Sequence, residues 1–392
     1  MTHYRRVGHV PPKRHTVHRD ADGGRLLEEL MGTNGFSGAS SLLYHRRSPT
    51  ALLSVAAVDD GRGPLRPNQP VAPVHLRTGE LGVVDHGAGD LVGARHVLAA
   101  NPDLTIALAV GADPSPLYRN AGGDELVFVH EGRARLETVF GALDVEAGDH
   151  VVLPAGTTHR WLPDGAVRAL VVEAAGHVGP PRKHLTPGGQ FAEQAPYCER
   201  DQRAPGEVLV VDAELDRPTD VIVRTVAGLS RHTYAHHPFD VVGWDGALYP
   251  WALAIADFEP IVGSLHQPPP VHQSFEGPGF VVCAFVPRLL DTHPDAVKIP
   301  YHHANVDSDE VLFYVDGNFT SRVGSGIAAG SLTLHPAGFV HGPQPGSWER
   351  SVDQDRTDET AVMIDTFRPL ALGPAAGTIA APDYLTSWAP RP

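Results

Sequence analysis

Short apolar runs broken by glycine, proline and aspartate recur along the whole chain, and few carry the spacing of an amphipathic helix. Runs at 51–58, 81–85, 104–110, 208–211 and 221–226 are alternating or continuously apolar over strand-like lengths. Val311 to Val315, Ser331 to Leu334 and Thr360 to Phe367 read the same way. One stretch, Arg25 to Met31, predicts a short helix inside an otherwise irregular arm over residues 1–50. Gly179 to Arg203, rich in Pro, Gly and charge, reads as a connector. Arg231 to Gly277 mixes aromatics, prolines and histidines with little periodicity and reads as a functional or interfacial loop. With 41 glycines and 36 prolines to make turns, the pattern predicts a mainly β chain.

Composition narrows the picture. The 392 residues leave room for two domains with sizeable cores, and 42% hydrophobic with 20% charged residues is a globular balance. A net charge of −15 without a basic stripe argues against a nucleic-acid partner. Cys198 and Cys283 do not make a disulfide framework. The N-terminal residues are basic but lack an apolar signal core, and no run is long enough to span a bilayer. The expectation is a cytoplasmic protein with no membrane partner.

The chemistry concentrates between Tyr301 and Gly346. His303, Asn305, Glu310 and Gly317 are followed by Gly330, Pro336, Gly338 and His341. These resemble the two motifs of a cupin (jelly-roll) barrel, His-x-His-x(3–4)-Glu-x(6)-Gly and Gly-x(5)-Pro-x-Gly-x(2)-His. Asn305 stands where the second histidine would be. Alternate residues of a strand face one way, so two antiparallel strands can aim His303, Glu310 and His341 into one interior. His302 is expected to point away from His303. Two imidazoles and one carboxylate suit Fe(II) with coordination positions left open. Surface histidines on a Gly-Pro hairpin would explain any one of these residues, but not both half-motifs in order and spacing. The glycine-rich segment 324–330 lies between two strands instead of opening a helix, so it reads as a hairpin loop.

A weaker copy lies upstream. Glu125 and Gly132 repeat the first motif's end, and Gly148, Pro154, Gly156 and His159 repeat the second, but no histidine precedes Glu125. Such a repeat predicts two barrels. Residues 1–205 are expected to hold the arm and a metal-free barrel, and 206–392 the catalytic barrel with the iron site. His266 and His272 flank Pro268 to Pro270, which stiffens their loop.

The chain resembles homogentisate 1,2-dioxygenases nearly end to end. The resemblance rests on KRHT at 13–16, EELMGTNGFSG at 28–38, SSLLYHR at 40–46, HPFDVVGWDGALYPW at 237–251, HQPPPVHQSFEGPGFVVCAFVPR at 266–288 and HPAGFVHGPQPG at 335–346. It implies a two-barrel subunit with Fe(II) in the second barrel, held by His303, Glu310 and His341, and a homo-oligomer of trimers or dimers of trimers. It implies a small aromatic substrate and O2, giving 4-maleylacetoacetate in tyrosine and phenylalanine catabolism. His335 and either His266 or His272 would be catalytic histidines, with His266 preferred as the base. Tyr301, position 319 and His341 would face the substrate. Position 319 departs from the family: Phe319 stands where a tyrosine would hold the substrate carboxylate, and it cannot donate a hydrogen bond. That departure keeps alive a cupin dioxygenase for another hydroquinone. A non-oxidative metal-dependent cupin enzyme and a non-catalytic cupin are the readings from other classes.

Overall fold

The computed structural model describes residues 3–82, 89–209, 211–266 and 268–389. The chain is mainly β and holds two jelly-roll units; among the described residues the α-helices are the short Ser347–Ser351 and Ala376–Ile379. The first unit is a sandwich. An eight-stranded sheet has Asp149–Leu153, Glu125–Glu131, Val167–Ala174, Leu104–Gly111 and Arg95–Ala100 at its centre. It faces a seven-stranded sheet containing Gly141–Glu146, Arg133–Thr138, His159–Pro163 and Tyr118–Asn120. Val127, Leu136, Val151, Trp161 and Val171 fill the space between them. Inward-facing residues alternate with exposed ones on Arg133–Thr138, whereas Val167–Ala174 is buried almost throughout.

The second unit is built on a six-stranded sheet, in the order Gln273–Gly277, Phe280–Phe285, Thr360–Thr366, Asp309–Asp316, Ser331–His335 and Val74–Arg77. Its apolar residues continue the same core as the first unit, and the rings of Phe128 and Phe313 meet edge to face at 6.5 Å. At the turn that ends Asp309–Asp316, Gly317 has φ +106°, and a Cβ there would lie 2.2 Å from the Asp358 carbonyl. Only glycine fits.

Several expected elements form as read: Leu52–Val58, Leu104–Gly111, Thr219–Thr225, Asp309–Asp316, Ser331–His335 and Thr360–Thr366 are strands. Residues 83–85 of the run at 81–85, and Val210 of the run at 208–211, lie outside the described residues; the described parts of both runs are not strands. The expected helix over Arg25 to Met31 is instead the strand Leu27–Gly32, paired with Ser40–His45. Leucine and glutamate favour a helix locally, and pairing with the next strand overrides them. The arm is correspondingly not irregular, since Arg5–Gly8, Val241–Gly246, Ser40–His45 and Leu27–Gly32 form a four-stranded sheet. Nor is Arg231 to Gly277 loop throughout. It supplies Val241–Gly246, buried at every position, and Trp251–Ala254, so neither strand displays an alternating pattern.

Strand pairing crosses the expected division at residue 205 in both directions. Thr219–Thr225, Gly228–Tyr234 and Trp251–Ala254 complete sheets of the first unit, while Val74–Arg77 closes the edge of the second unit's sheet. Among the described residues no helix is long and apolar enough to cross a membrane.

Candidate metal centre

Two features of the sheet bring the candidate ligands together. Glu310 lies on the central strand, directly opposite His335 on one neighbour and Asp365 on the other. Directly opposed residues share a face of the sheet, so all three side chains enter the same space. His303 and His341 lie outside that sheet but pair with one another. Each backbone N–H donates to the other's carbonyl at 2.9 Å, which sets their rings 4.4 Å apart.

The resulting cluster is compact. Donor atoms of His303, Glu310 and His341 all lie within 4.8 Å of one another, and among the described residues no other such group occurs. His303 Nε2 is 3.6 Å from Glu310 Oε2, and His341 Nε2 is 3.2 Å from Oε1. The Nδ1–H groups of His303 and His341 donate to the carbonyls of Tyr301 and Phe339, at 3.1 and 3.0 Å. Those bonds fix the tautomer and leave each Nε2 as a lone-pair donor. His341 Nε2 is buried and makes no hydrogen bond of proper geometry. An orphaned imidazole nitrogen aimed at a buried carboxylate fits a divalent cation.

His335 is fully buried behind this cluster. Its Nδ1–H donates to Glu310 Oε1 at 2.8 Å, and its Nε2 accepts from the Tyr384 hydroxyl at 2.9 Å. Burial opposes the charge on Glu310, but the hydrogen bond from His335 and the close imidazoles of His303 and His341 overcome it and hold its pKa well below the carboxylate range. Burial draws His335 down to about 4, despite Glu310. The arrangement is that of a metal ligand oriented by an outer hydrogen-bonding shell.

Beside the cluster is a cavity of about 190 Å³, room for a single-ring molecule, whose wall includes His266, His272, Tyr301, His303 and Glu310. Tyr301 stands at its mouth, half exposed, with its ring 5.1 Å from His266 and 6.0 Å from His303. His266 is partly exposed, with Nδ1 3.9 Å from Asp291. His272 is buried against Phe285, and burial drives its pKa down to about 3. His302 is exposed, lies against Gly342 and is outside the cluster. Asn305 donates to Asp365 at 3.1 Å.

Of the positions expected to face the substrate, 319 and His341 are not on the cavity wall, and neither is the expected catalytic His335. Phe319 is not on the cavity wall: its ring packs edge to face on Tyr314 at 5.1 Å, inside an apolar cluster with Cys283, Leu312 and Met363. His335 is not on the wall either, because Glu310 stands in front of it. Sequence reasoning also passed over Tyr384, which lies in the C-terminal stretch after Phe367. Trp388 of the same stretch donates to the Gly342 carbonyl at 2.9 Å. Two aromatics in an otherwise Pro- and Ala-rich tail were the available signal.

The chain is similar to proteins of recorded chemistry. The family model described as homogentisate 1,2-dioxygenase N-terminal matches residues 68–255. A protein of Saccharolobus solfataricus named as a putative dioxygenase is 37% identical over 99% of both chains. The homogentisate 1,2-dioxygenase of Emericella nidulans is 28% identical over 68% of this chain and 62% of its own length. Among solved structures, a cupin 2 conserved barrel domain protein from Leptotrichia buccalis overlaps 75% of this chain and 96% of its own, at 8% identity and a TM-score of 0.37.

Proposed function

Because the chain belongs to the homogentisate 1,2-dioxygenase family and is a dioxygenase, we propose that it opens the ring of homogentisate with O2 to give 4-maleylacetoacetate, both oxygen atoms entering the product. The observation that carries this reading is the cluster of His303, Glu310 and His341, whose members His303 and Glu310 line a cavity of single-ring size. These residues would hold Fe(II). When bound, that ion supplies redox capacity toward oxygen that a zinc ion lacks.

The chain's own residues divide the remaining work. His266, at the cavity mouth, accepts the phenol proton as the ring enters, a task that needs a base within hydrogen-bond reach. His272 is the poorer acceptor, since burial keeps it neutral down to about 3. Tyr301 walls the ring on the side of His266. His335 acts through Glu310: with Tyr384 donating to its far nitrogen, it fixes the carboxylate's orientation without touching substrate. We take the protein to work in the cytoplasm as a homo-oligomer of the family's trimeric or hexameric kind, which sedimentation would check.

A related enzyme for another hydroquinone is the second reading, favoured by Phe319 at the family's tyrosine position. The deciding experiment loads the protein anaerobically with Fe(II) and follows oxygen uptake and product identity against a panel of hydroquinones. Uptake with homogentisate and ring-opened product supports the first reading; uptake only with other hydroquinones supports the second. No uptake with any of them sinks both.

A further inference from the structure

The cavity wall carries cations that the metal cluster does not account for. Arg322 is buried, with Nε donating to the Tyr314 hydroxyl at 2.9 Å and Nη1 donating to the Gly342 carbonyl at 2.6 Å. Both partners are uncharged. Arg288 shares the wall, its Nη1 donating to the Val286 carbonyl at 3.1 Å and its guanidinium 5.7 Å from the centre of the Phe285 ring. Lys298 lines the same space and donates to the Asp291 carbonyl. Among the described residues, no carboxylate comes within ion-pair distance of Arg288 or Arg322. Glu359 and Asp365 also line the cavity; Asp365 is engaged by Asn305, and burial makes Glu359 harder to ionise even though Arg288 and Arg322, beyond ion-pair distance, favour its charge.

A buried charge without a counter-ion is costly. Here the Arg322 guanidinium bears that cost, beside the half-buried Arg288, in a chain whose net charge is −15. The backbone is also strained to bring one of them in. Phe319 adopts a left-handed conformation, with φ 36° and ψ 52°, and starts the tight turn Thr320–Arg322. That turn buries the Phe319 ring away from the cavity and sends Arg322 toward it. Gly342 follows His341 directly, so an anion held by Arg322 is anchored at the rim of the candidate metal cluster.

We propose that Arg322, with Arg288 beside it, is the residue that receives the substrate carboxylate in this chain and sets its preference for acid over neutral hydroquinones. The assignment rests on the ring-opening reading above and removes its main difficulty. The donor absent at position 319 is supplied three residues later. A guanidinium is suited to the task, because its fork presents parallel N–H groups to both oxygens of a carboxylate.

The test uses full-length protein loaded anaerobically with Fe(II), titrated calorimetrically with homogentisate and with its methyl ester. Wild type is compared with Arg322→Gln, Arg322→Lys and Arg288→Gln, and iron content is measured on each. Loss of a charged hydrogen bond should weaken acid binding about ten- to a hundred-fold in Arg322→Gln. Ester binding should barely move, iron should stay bound, and Arg322→Lys should recover part of the loss. Arg288→Gln should show the same selective loss, and it carries the test alone if Arg322→Gln does not fold. Equal weakening of acid and ester with iron retained overturns the receptor. So does wild type that binds the ester as tightly as the acid. Failure of the ring-opening reading would look different: no oxygen consumption with homogentisate, while a calorimetric preference for acid over ester still reports on the arginines.

Discussion

Two carboxylates answer the same motif in this molecule, Glu125 in the first unit and Glu310 in the second, and the fold treats them in opposite ways. The scaffolding around them corresponds position by position. Glu125 is flanked across the sheet by Leu153 and Glu173, where Glu310 is flanked by His335 and Asp365. His159, like His341, donates its Nδ1–H to the carbonyl two residues back and leaves a buried Nε2 without a hydrogen bond. The difference is Arg95. Its guanidinium grips both oxygens of Glu125 at 2.8 and 2.9 Å and reaches Glu173 at 2.7 Å. Arg62 clamps Glu173 from the other side. A covalently attached cation thus occupies the first carboxylate, whereas imidazole nitrogens surround the second. The lesson is that the carboxylate motif alone does not make a candidate metal centre. It takes both the histidine partners that Glu125 lacks and a carboxylate not already held by an arginine.

The strongest way to break this comparison is to remove the fixed cation. Arg95→Met would leave Glu125 and Glu173 buried with too few partners, and breaking such a pair costs about 3–5 kcal/mol. A loss of that size should lower Tm by roughly 6–20 °C or leave the protein insoluble. Thermal melts check it, and an unchanged Tm would mean that Arg95 is not the first unit's internal cation. In the second unit the corresponding change should empty a site while leaving the fold alone. His303→Ala is expected to lose its iron by metal analysis with an unaltered circular dichroism spectrum. A full equivalent retained would move the metal elsewhere.

Acid sharpens the contrast. Burial opposes the charge on Glu173, but Arg62 and Arg95 hold its pKa at about 2, below its ordinary 4.5. A depressed carboxylate contributes stability that is fully present above pH 4.5 and is lost as the pH falls through about 2. Urea midpoints measured across that window should therefore fall more gently for Glu173→Gln than for wild type. Parallel curves would remove Glu173 from the account. The smallest effect concerns Phe319. Because its ring packs on Tyr314 away from the cavity, Phe319→Tyr should leave the KM for homogentisate unchanged. The added hydroxyl, if buried without a partner, costs about 1–3 kcal/mol of stability. A clearly lower KM would return position 319 to the substrate.

The ligand cluster was readable in the sequence because strand periodicity and turn glycines tie its members to short spacings. His303, Glu310 and His341 fall within one hairpin-sized stretch, and the structure brings them together. Arg95 was not readable. It lies 30 residues before Glu125 at the head of an apolar strand, and only the sheet pairing brings it to that carboxylate. Tyr384 is likewise 49 residues from His335 and belongs to no motif. Arg322 lies inside the motif stretch, but its direction depends on the left-handed turn at Phe319, which side-chain chemistry does not announce. The misread strand Leu27–Gly32 has another origin: its one partner, Ser40–His45, is the next strand, and its leucines and glutamates mask the strand pattern.

The edge strand Val74–Arg77 carries a consequence for biosynthesis. It closes the sheet that holds Glu310, and His75 hydrogen-bonds Ser331 across 256 residues of chain. At typical ribosomal rates of about 5–20 residues per second, that strand would wait roughly 13 to 51 seconds before its partner emerges. Until then its backbone donors and acceptors on that side are unpaired, as on any exposed sheet edge. The N-terminal half therefore cannot mature by itself on the ribosome, and a gene cut between the two halves would release one fragment with an unsated edge and another with a sheet lacking its last strand.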